Sequence, residues 1–480
     1  MYTKMAEDPV VSSSLNITDE LETVDDGERC VKLNLPAHIA AFLEQQDLNR
    51  NFRQILCDQS LLEDVTANYV IVKKILSFLP WQEKLLCKNV CSMWRSAVNT
   101  LQKEQRSSAD FAISLRLSHI RNGIKLIQSD TFYTEPLVVL AFANTAGFAV
   151  TRKCEMLLPC PCDPPCEKEH YLVDVVKNLV VVPKKCMLTV KACYLSYMPL
   201  QPSITYQHSI SQKFGRASAF IAGIYIPIIP NVEFKVINIK SLCDMKRNFF
   251  MIMDKLAETR FVKGALVFVN ESFLLHSVED IVFINYLKDV QPNVPYALGG
   301  CIVEDTLSDK DDMDTMIEGL NEGIDLMTEN LVSIGLFTVP RNLDDTQPEN
   351  GCNFDMFSLI IESSDWSKAK IQAAINEFSK KVPHFEHSVV IKMSCVGRDR
   401  KHDYEQEFFR AAFPNTRLLG CYGNGELGLN KPPRSPADAQ PTTVKRHRRD
   451  PGPQYGIMYS YSTVFVYIGW GKILVPAESN

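Results

Sequence analysis

The periodicity of apolar residues changes near residue 109, and this change limits the architectures that the chain can adopt. Before it, Val72, Ile75, Leu76 and Leu79 fall at positions i, i+3, i+4 and i+7, the spacing of one helical face. After it, short apolar runs typical of strands alternate with stretches of helical pattern. The sequence therefore predicts a small all-helical unit followed by a large α+β body.

The helical unit is predicted to contain three helices. Pro80 ends the first helix, because proline cannot continue a helical hydrogen-bond ladder. Leu85 and Leu86 belong to a short second helix. The third helix carries four apolar residues on one face: Val90, Trp94, Val98 and Leu101.

The body is predicted to combine mixed sheets with several helices. Its candidate strands are 137–143, 179–182, 187–194, 219–226, 234–239, 265–270, 332–338, 388–393, 417–422 and 464–468. Its candidate helices are 244–258, 278–287, 368–380 and 405–412.

Length and composition exclude several classes of protein. At about 100–200 residues per domain, 480 residues indicate two to four domains. Apolar residues make up 46% and charged residues 22%, a balance typical of a globular chain. A formal net charge of -6 argues against a protein that coats nucleic acid, so direct nucleic-acid binding is not expected.

The sequence also predicts that the protein is neither secreted nor bound to a membrane. The longest apolar stretch, 220–229, is interrupted by Pro227 and is shorter than the roughly 20 residues that span a bilayer. Residues 1–8 contain no apolar signal core. We therefore expect the 15 cysteines to be mostly reduced. The basic run 445–449 is a nuclear import signal, a phosphate-binding patch or a solvated loop. We expect a cytoplasmic and nuclear protein.

Three stretches of the helical unit resemble an F-box: 75–80, 85–86 and 90–95. The resemblance implies docking on the Skp adaptor of a cullin–RING ubiquitin ligase. By that resemblance, seven residues belong to the adaptor interface or to its supporting core: Ile75, Leu76, Leu79, Pro80, Leu85, Val90 and Trp94. The alternative from the residues alone is an ordinary three-helix unit.

The body resembles the FIST region that follows the F-box in some F-box-only proteins. The similarity lies in segments 394–398, 408–414, 419–428 and 459–463, with a further turn at 298–300 and weaker similarity at 183–186. It implies an acidic, largely disordered extension (1–65), an F-box (66–108), a FIST amino-terminal-like region (130–300) and a FIST carboxy-terminal-like domain (301–475). Two insertions interrupt this body, a Cys/Pro-rich segment (154–170) and a Pro-rich basic loop (431–456).

Six residues of the FIST-like turns are candidate pocket or turn residues: Cys395, Arg398, Gly423, Gly425, Glu426 and Gly428. The glycines form a G-x-G-x-x-G pattern, but the prolines that follow cannot propagate the helix that a dinucleotide site needs. A tight turn is the better interpretation, with Glu426 either capping backbone N–H groups or facing a pocket. Cys395 is either a buried turn residue or a thiol whose pKa is lowered by Arg398.

One cluster has the ligand types of a zinc site: Cys154, Cys160, Cys162, Cys166 and His170. The spacing of these residues is irregular, and the prolines between them also suit an extended loop. A zinc site and an extended loop therefore both remain possible interpretations of the segment. No other cofactor is expected.

Together the two resemblances imply the substrate-recognition subunit of an Skp–cullin–F-box ubiquitin ligase, without catalytic residues of its own. The F-box would dock the adaptor, and the body would bind the protein targeted for ubiquitination and proteasomal degradation. One alternative is an intracellular signalling protein that senses a small ligand in the FIST pocket. Another is a thiol enzyme that uses Cys395.

Overall fold

The computed structural model describes seventeen stretches of the chain. They are residues 30–31, 57–58, 66–116, 126–153, 169–173, 176, 180, 182–183, 186–200, 218–241, 249–273, 283–308, 330–341, 353–362, 365–398, 401–433 and 457–477. The chain divides into two compact units, Met1–Lys103 and Glu104–Asn480. Most of the acidic extension, the four cysteines of the candidate zinc cluster and the basic run 445–449 lie outside the described residues.

The first unit contains the three helices that the apolar pattern predicts. Its elements are strands β1 (Cys30–Val31) and β2 (Cys57–Asp58), which pair antiparallel, and helices α1 (Tyr69–Leu76), α2 (Trp81–Cys87) and α3 (Ser92–Glu104). Asn68 caps α1, because its side-chain oxygen accepts hydrogen bonds from the backbone N–H groups of Val70 and Ile71 at 3.0 and 3.3 Å. The helices meet in a small core of Val72, Leu76, Ala97, Val98 and Leu101.

The second unit is the α+β body that the sequence predicts. Its first strands are β3 (Ala109–Arg116), β4 (Leu126–Gln128), β5 (Pro136–Asn144), β6 (Thr151–Lys153), β7 (Glu169–Tyr171), β8 (Met187–Ala192), β9 (Tyr194–Met198), β10 (Ser218–Pro227) and β11 (Glu233–Ile239). Its later strands are β12 (Arg260–Asn270), β13 (Ala297–Val303), β14 (Asp305–Ser308), β15 (Val332–Pro340), β16 (Asn353–Ile361), β17 (His384–Cys395), β18 (Arg417–Gly423), β19 (Glu426–Leu429), β20 (Met458–Tyr459) and β21 (Thr463–Val475). Its helices are α4 (Thr145–Ala149), α5 (Met251–Thr259), α6 (Tyr286–Val290), α7 (Lys368–Lys381) and α8 (His402–Ala412).

Three mixed sheets organise the body. The first has the strand order β14-β8-β5-β10-β3-β4, the second β11-β15-β12-β13-β19-β20 and the third β16-β21-β17-β18-β9. Each sheet contains one parallel pair among the described strands: β5 with β8, β12 with β13, and β17 with β18. The central strands are buried along most of their length, so the largest apolar core draws side chains from all three sheets.

The parallel pair β17 and β18 is joined by α8, which follows from the sequence pattern. Two apolar runs flank an amphipathic segment, and a parallel connection needs a crossover that a helix usually supplies. Phe409 of α8 and Phe413, the residue after its last turn, pack on the sheet with Phe465 and Tyr467 of β21.

The structure corrects several sequence predictions. The predicted strand 187–194 is two strands, β8 and β9, which belong to different sheets. The predicted strand 179–182 is wrong where it is described, because the Val180 N–H bonds the Val176 carbonyl at 2.9 Å in a helical turn. Of the predicted helix 278–287, residues 278–282 lie outside the described residues, and helix α6 occupies Tyr286–Val290. Strands β3 and β16 were missed, because polar residues such as Asp110 and Ser358 interrupt their apolar runs.

The two FIST-like regions share sheets. Strand β9 pairs with β18, and β13, which crosses position 300, pairs with β19. No helix in the described part of the chain is long and apolar enough to cross a bilayer.

Candidate functional site

The helical unit exposes a set of apolar side chains. We call this set the helical apolar surface, and it consists of Tyr69, Val70, Ile71, Ile75, Phe78, Leu86 and Val90. Their exposed fractions run from 36% for Tyr69 to 73% for Val70. Three short helices cannot bury all of their apolar residues among themselves, so part of the apolar surface stays open to solvent.

The seven predicted adaptor-binding residues divide between this surface and its support. Ile75 and Val90 are exposed, whereas Leu76 is fully buried in the small core. Leu79, Pro80, Leu85 and Trp94 are half-buried.

Trp94 has a supporting contact. Its indole N–H lies 3.4 Å from the Thr66 carbonyl oxygen, and its ring packs against the small core. The sequence assignment missed Phe78 and Leu86 as surface residues, although both lie inside the matching segments. An exposed leucine has no distinguishing mark in sequence, since helical periodicity normally places apolar residues in a core.

The FIST-like turns of the body meet at one sheet edge. Strand β17 ends at Cys395 and the parallel strand β18 ends at Gly423, and these two residues are register partners. The carboxyl ends of neighbouring parallel strands lie at the same edge of a sheet, which is where open α/β sheets bind ligands. The loop after β17 therefore lies beside the glycine turn after β18, as the Val396 N–H to Gly423 carbonyl bond at 2.9 Å confirms.

The glycine pattern forms a tight turn, as predicted. A Cβ at Gly423 would lie 2.3 Å from the Ile302 carbonyl oxygen, so no larger residue fits there. Gly425 has φ +143°, a conformation that side-chain-bearing residues rarely adopt. Gly428 lies within strand β19, where a Cβ would meet the Ile360 side chain at 3.1 Å. A strand, not a helix, follows this turn, so the residues do not form a dinucleotide-binding motif.

Arg398 forms a buried ion pair with Glu405. Its Nε and Nη2 atoms lie 2.9 and 2.8 Å from Oε1 of Glu405, and neither side chain is exposed to solvent. Its Nη1 donates to the Tyr461 carbonyl. The other Glu405 oxygen accepts from the Thr463 hydroxyl at 2.8 Å, and that hydroxyl contacts the Ser394 hydroxyl at 2.6 Å. The pair thus joins the loop after β17, helix α8 and the start of β21.

Glu426 is a second buried carboxyl group at this edge. Its Oε2 accepts from the Ser462 backbone N–H at 3.2 Å and from the Ser462 hydroxyl at 2.8 Å. Of the two predicted roles, the capping of a backbone N–H is the one observed. Burial raises the pKa of Glu426 to about 8, against the opposing effects of Ser462, Arg398 and Cys395.

Cys395 is the buried last residue of strand β17. Burial raises the pKa of its thiol, and the Glu426 charge raises it further. Arg398 has a smaller, lowering effect, because its charge is matched by Glu405. The pKa shift of this thiol is thus opposite in direction to the one that activation by Arg398 would produce.

The candidate zinc ligands are described only in part. His170 is buried in β7, and its partner in the register of the antiparallel strands β6 and β7 is Arg152. Cys154, Cys160, Cys162 and Cys166 lie outside the described residues. Within the described ranges no group of three or more His, Cys, Asp or Glu residues is arranged to hold a metal ion.

A cleft of about 150 Å³ lies between helix α7 and residues 430–433. Trp366, Phe378 and Pro432 give it apolar walls, and Lys370 lies on its rim with Nζ 4.2 Å from the centre of the Trp366 ring.

Comparisons with known proteins were made for sequence and for structure. No family model matches the chain, and no curated protein matches it. Among solved structures, the chain is similar to a cyanuric acid hydrolase from A. caulinodans, with 8% sequence identity and a TM-score of 0.27 over 70% of this chain and 91% of that one.

Proposed function

We propose that this protein is the substrate-recognition subunit of an Skp–cullin–F-box ubiquitin ligase. The helical apolar surface docks the Skp adaptor, and the body binds the protein that is ubiquitinated and then degraded by the proteasome. The chain contributes no catalytic group. It acts by proximity, because tethering a target beside the charged conjugating enzyme raises the effective concentration of its lysines.

The exposure of the helical apolar surface is the observation that carries this proposal. Phe78, Leu86 and Val90 each expose more than half of their surface, although the core of the same unit is fully buried. Large apolar side chains left exposed in this number are candidates for a protein-interaction site, since leaving them in water forgoes their burial. The resemblance of this unit to an F-box supports the Skp adaptor as the partner.

The turn cluster supports a structural role within the substrate-binding body. Arg398 and Thr463 each bond Glu405, and Ser462 donates to Glu426. These bonds fix the loops at the ends of β17 and β18, which form one edge of the body. A rigid edge of this kind positions a bound target without supplying a nucleophile or a base. We place the complex in the cytoplasm and nucleus, away from membranes and without direct contact to nucleic acid.

Affinity purification of the full chain from cells, read by mass spectrometry, tests the proposal. We expect the Skp adaptor and a cullin to co-purify with the wild-type chain. Leu86→Glu and Val90→Asp place a charge on the helical apolar surface and should remove both partners. Asn99→Asp adds a charge at an exposed position of α3 outside that surface and is the matched control.

Circular dichroism of each variant separates lost docking from lost folding. Leu86 and Val90 are exposed, so their replacement should leave the helical signal unchanged. Undiminished recovery of adaptor and cullin with both folded surface variants would contradict the proposal. Absence of the adaptor from the wild-type purification would contradict it as well.

A further inference from the structure

Two buried cysteines from different sheets contact each other inside the body. Cys301 lies in β13 of the second sheet and Cys421 lies in β18 of the third sheet. Neither residue is exposed to solvent, and their Sγ atoms are 3.4 Å apart. They are 120 positions apart in the chain. The contact therefore links two layers of the body through the two sulfur atoms.

We propose that Cys301 and Cys421 form a redox-modifiable dithiol that oxidises to a disulfide between the second and third sheets. A disulfide has an S–S distance of about 2.04 Å, so the two sulfurs need to approach by about 1.4 Å. Small changes in side-chain torsion supply a movement of this size. This inference does not depend on the proposed function.

The surroundings of Cys301 make the dithiol slow to react. Burial raises the pKa of its thiol well above the ordinary value, and Cys421 and Glu426 raise it further. Glu426 is its register partner in β19. A Cβ at Gly423 would lie 3.3 Å from Cys301 Sγ, so the site is closely packed on that side. Since a thiolate is the reactive form, oxidation needs a small oxidant and a transient opening of the sheets.

Hydrogen peroxide is an oxidant of suitable size. One thiolate attacks a peroxide oxygen, the O–O bond breaks, and the departing hydroxide takes a proton to form water, which leaves a sulfenic acid. The second thiol then attacks the sulfenic sulfur, the S–S bond forms, and hydroxide leaves as a second water with the proton of that thiol. In total, two electrons pass from the sulfurs to the peroxide.

The disulfide would stabilise the body. It would close a long loop in the unfolded chain, and the entropy that the unfolded state loses by such closure grows with loop length. We expect the midpoint of thermal unfolding to rise by about 5 °C, and a reductant to reverse the rise.

Peptide mapping of the full chain tests the dithiol directly. The native protein is treated with hydrogen peroxide, free thiols are alkylated, and the digest is analysed without reductant. We expect a cross-linked pair of peptides that contain Cys301 and Cys421, two hydrogens lighter than the reduced pair. Its formation should lag behind oxidation of Cys91, which is exposed. Complete oxidation of Cys91 with both buried thiols still alkylated after denaturation would overturn the proposal.

Variants provide the second measurement. Cys301→Ser and Cys421→Ser should each abolish the peroxide-dependent rise in the unfolding midpoint, whereas Cys91→Ser should retain it. A rise that persists in the Cys421→Ser protein would contradict the assignment to this pair. If the serine variants fail to fold, the mapping of the wild-type chain decides alone.

Discussion

The helical unit and the α+β body differ in how many of their large apolar side chains are exposed to solvent. Among the described residues, seven large hydrophobic side chains are exposed in the helical unit and only six in the much longer body. The body buries its strands in a core shared by three sheets, whereas the small core of the helical unit contains five residues. Burial grows with domain size, so a short unit is left with apolar surface that a large one can cover.

The two regions also differ in how their polar groups are satisfied. At the edge of the body, Arg398, Glu405 and Glu426 find partners inside the protein. In the helical unit, polar side chains cap a helix, as Asn68 does, or join two helices, as Lys88 does with Gln102. The body thus encloses ionised side chains, whereas the hydrogen bonds at Asn68 and Lys88 of the helical unit are exposed or half-buried. The predictions below test each side of this difference.

Removal of Arg398 should have the largest effect on stability. Arg398→Ala leaves the Glu405 carboxylate buried without its ion-pair partner, and breaking a buried pair costs about 3–5 kcal/mol. Chemical denaturation should show this loss in the free energy of unfolding of the body. The double variant Arg398→Met with Glu405→Leu removes both charges and should lose much less. Equal losses in the single and double variants would contradict the ion-pair account.

Charges on the helical apolar surface should affect binding and not stability. Ile75→Asp and Phe78→Asp should each weaken adaptor binding by about 2 kcal/mol, roughly 30-fold, as expected for a central interface residue. Because both side chains are exposed, the free energy of unfolding should change by less than about 0.5 kcal/mol. Biolayer interferometry and thermal denaturation measure the two quantities. If the variants were strongly destabilised and bound the adaptor as well as the wild type, these residues would serve stability and not binding, which would contradict the proposed role of the helical apolar surface.

The stability of the body should depend on pH through Glu426. Its folded pKa of about 8 lies above the ordinary value of 4.5, so the folded state binds more protons between these values. The free energy of unfolding should therefore fall as pH rises from about 4.5 to about 8, by at most about 1.4 kcal/mol per pH unit. Glu426→Gln cannot ionise and should flatten the profile. Identical profiles for the two proteins from pH 5 to pH 8 would refute this assignment.

Loss of the helix cap should have the smallest effect. Asn68→Ala removes two hydrogen bonds to the first turn of α1 and should cost about 1 kcal/mol in the helical unit. Hydrogen exchange followed by mass spectrometry should show faster exchange in α1 and unchanged exchange in β17. Slower or unchanged exchange in α1 would show that the cap contributes little.

The elements with regular periodicity could be predicted from the sequence. Helices α1 and α3 follow from apolar residues at helical spacing, and β17, α8 and β18 follow from two apolar runs around an amphipathic segment. The apolar run through β8 and β9 gave no sign that its two halves enter different sheets. That division depends on pairing with distant strands, which periodicity does not encode.

The candidate site was predictable only as a set of turns. The glycine pattern predicts backbone conformation directly, so the tight turn at Gly423 and Gly425 was found. The partner of Arg398 could not be predicted, because its pairing with Glu405 depends on where helix α8 begins. The contact of Cys301 with Cys421 joins two sheets and leaves no local pattern in sequence.

Direct binding of the purified full chain to a purified Skp adaptor tests the central claim. Isothermal titration calorimetry should show saturable binding at one site, with a negative heat-capacity change because apolar surface is buried. The Leu86→Glu chain should bind at least about 30-fold more weakly, and the Asn99→Asp control should bind like the wild type. No measurable binding by the folded wild-type chain, or equal binding by Leu86→Glu, would contradict the account.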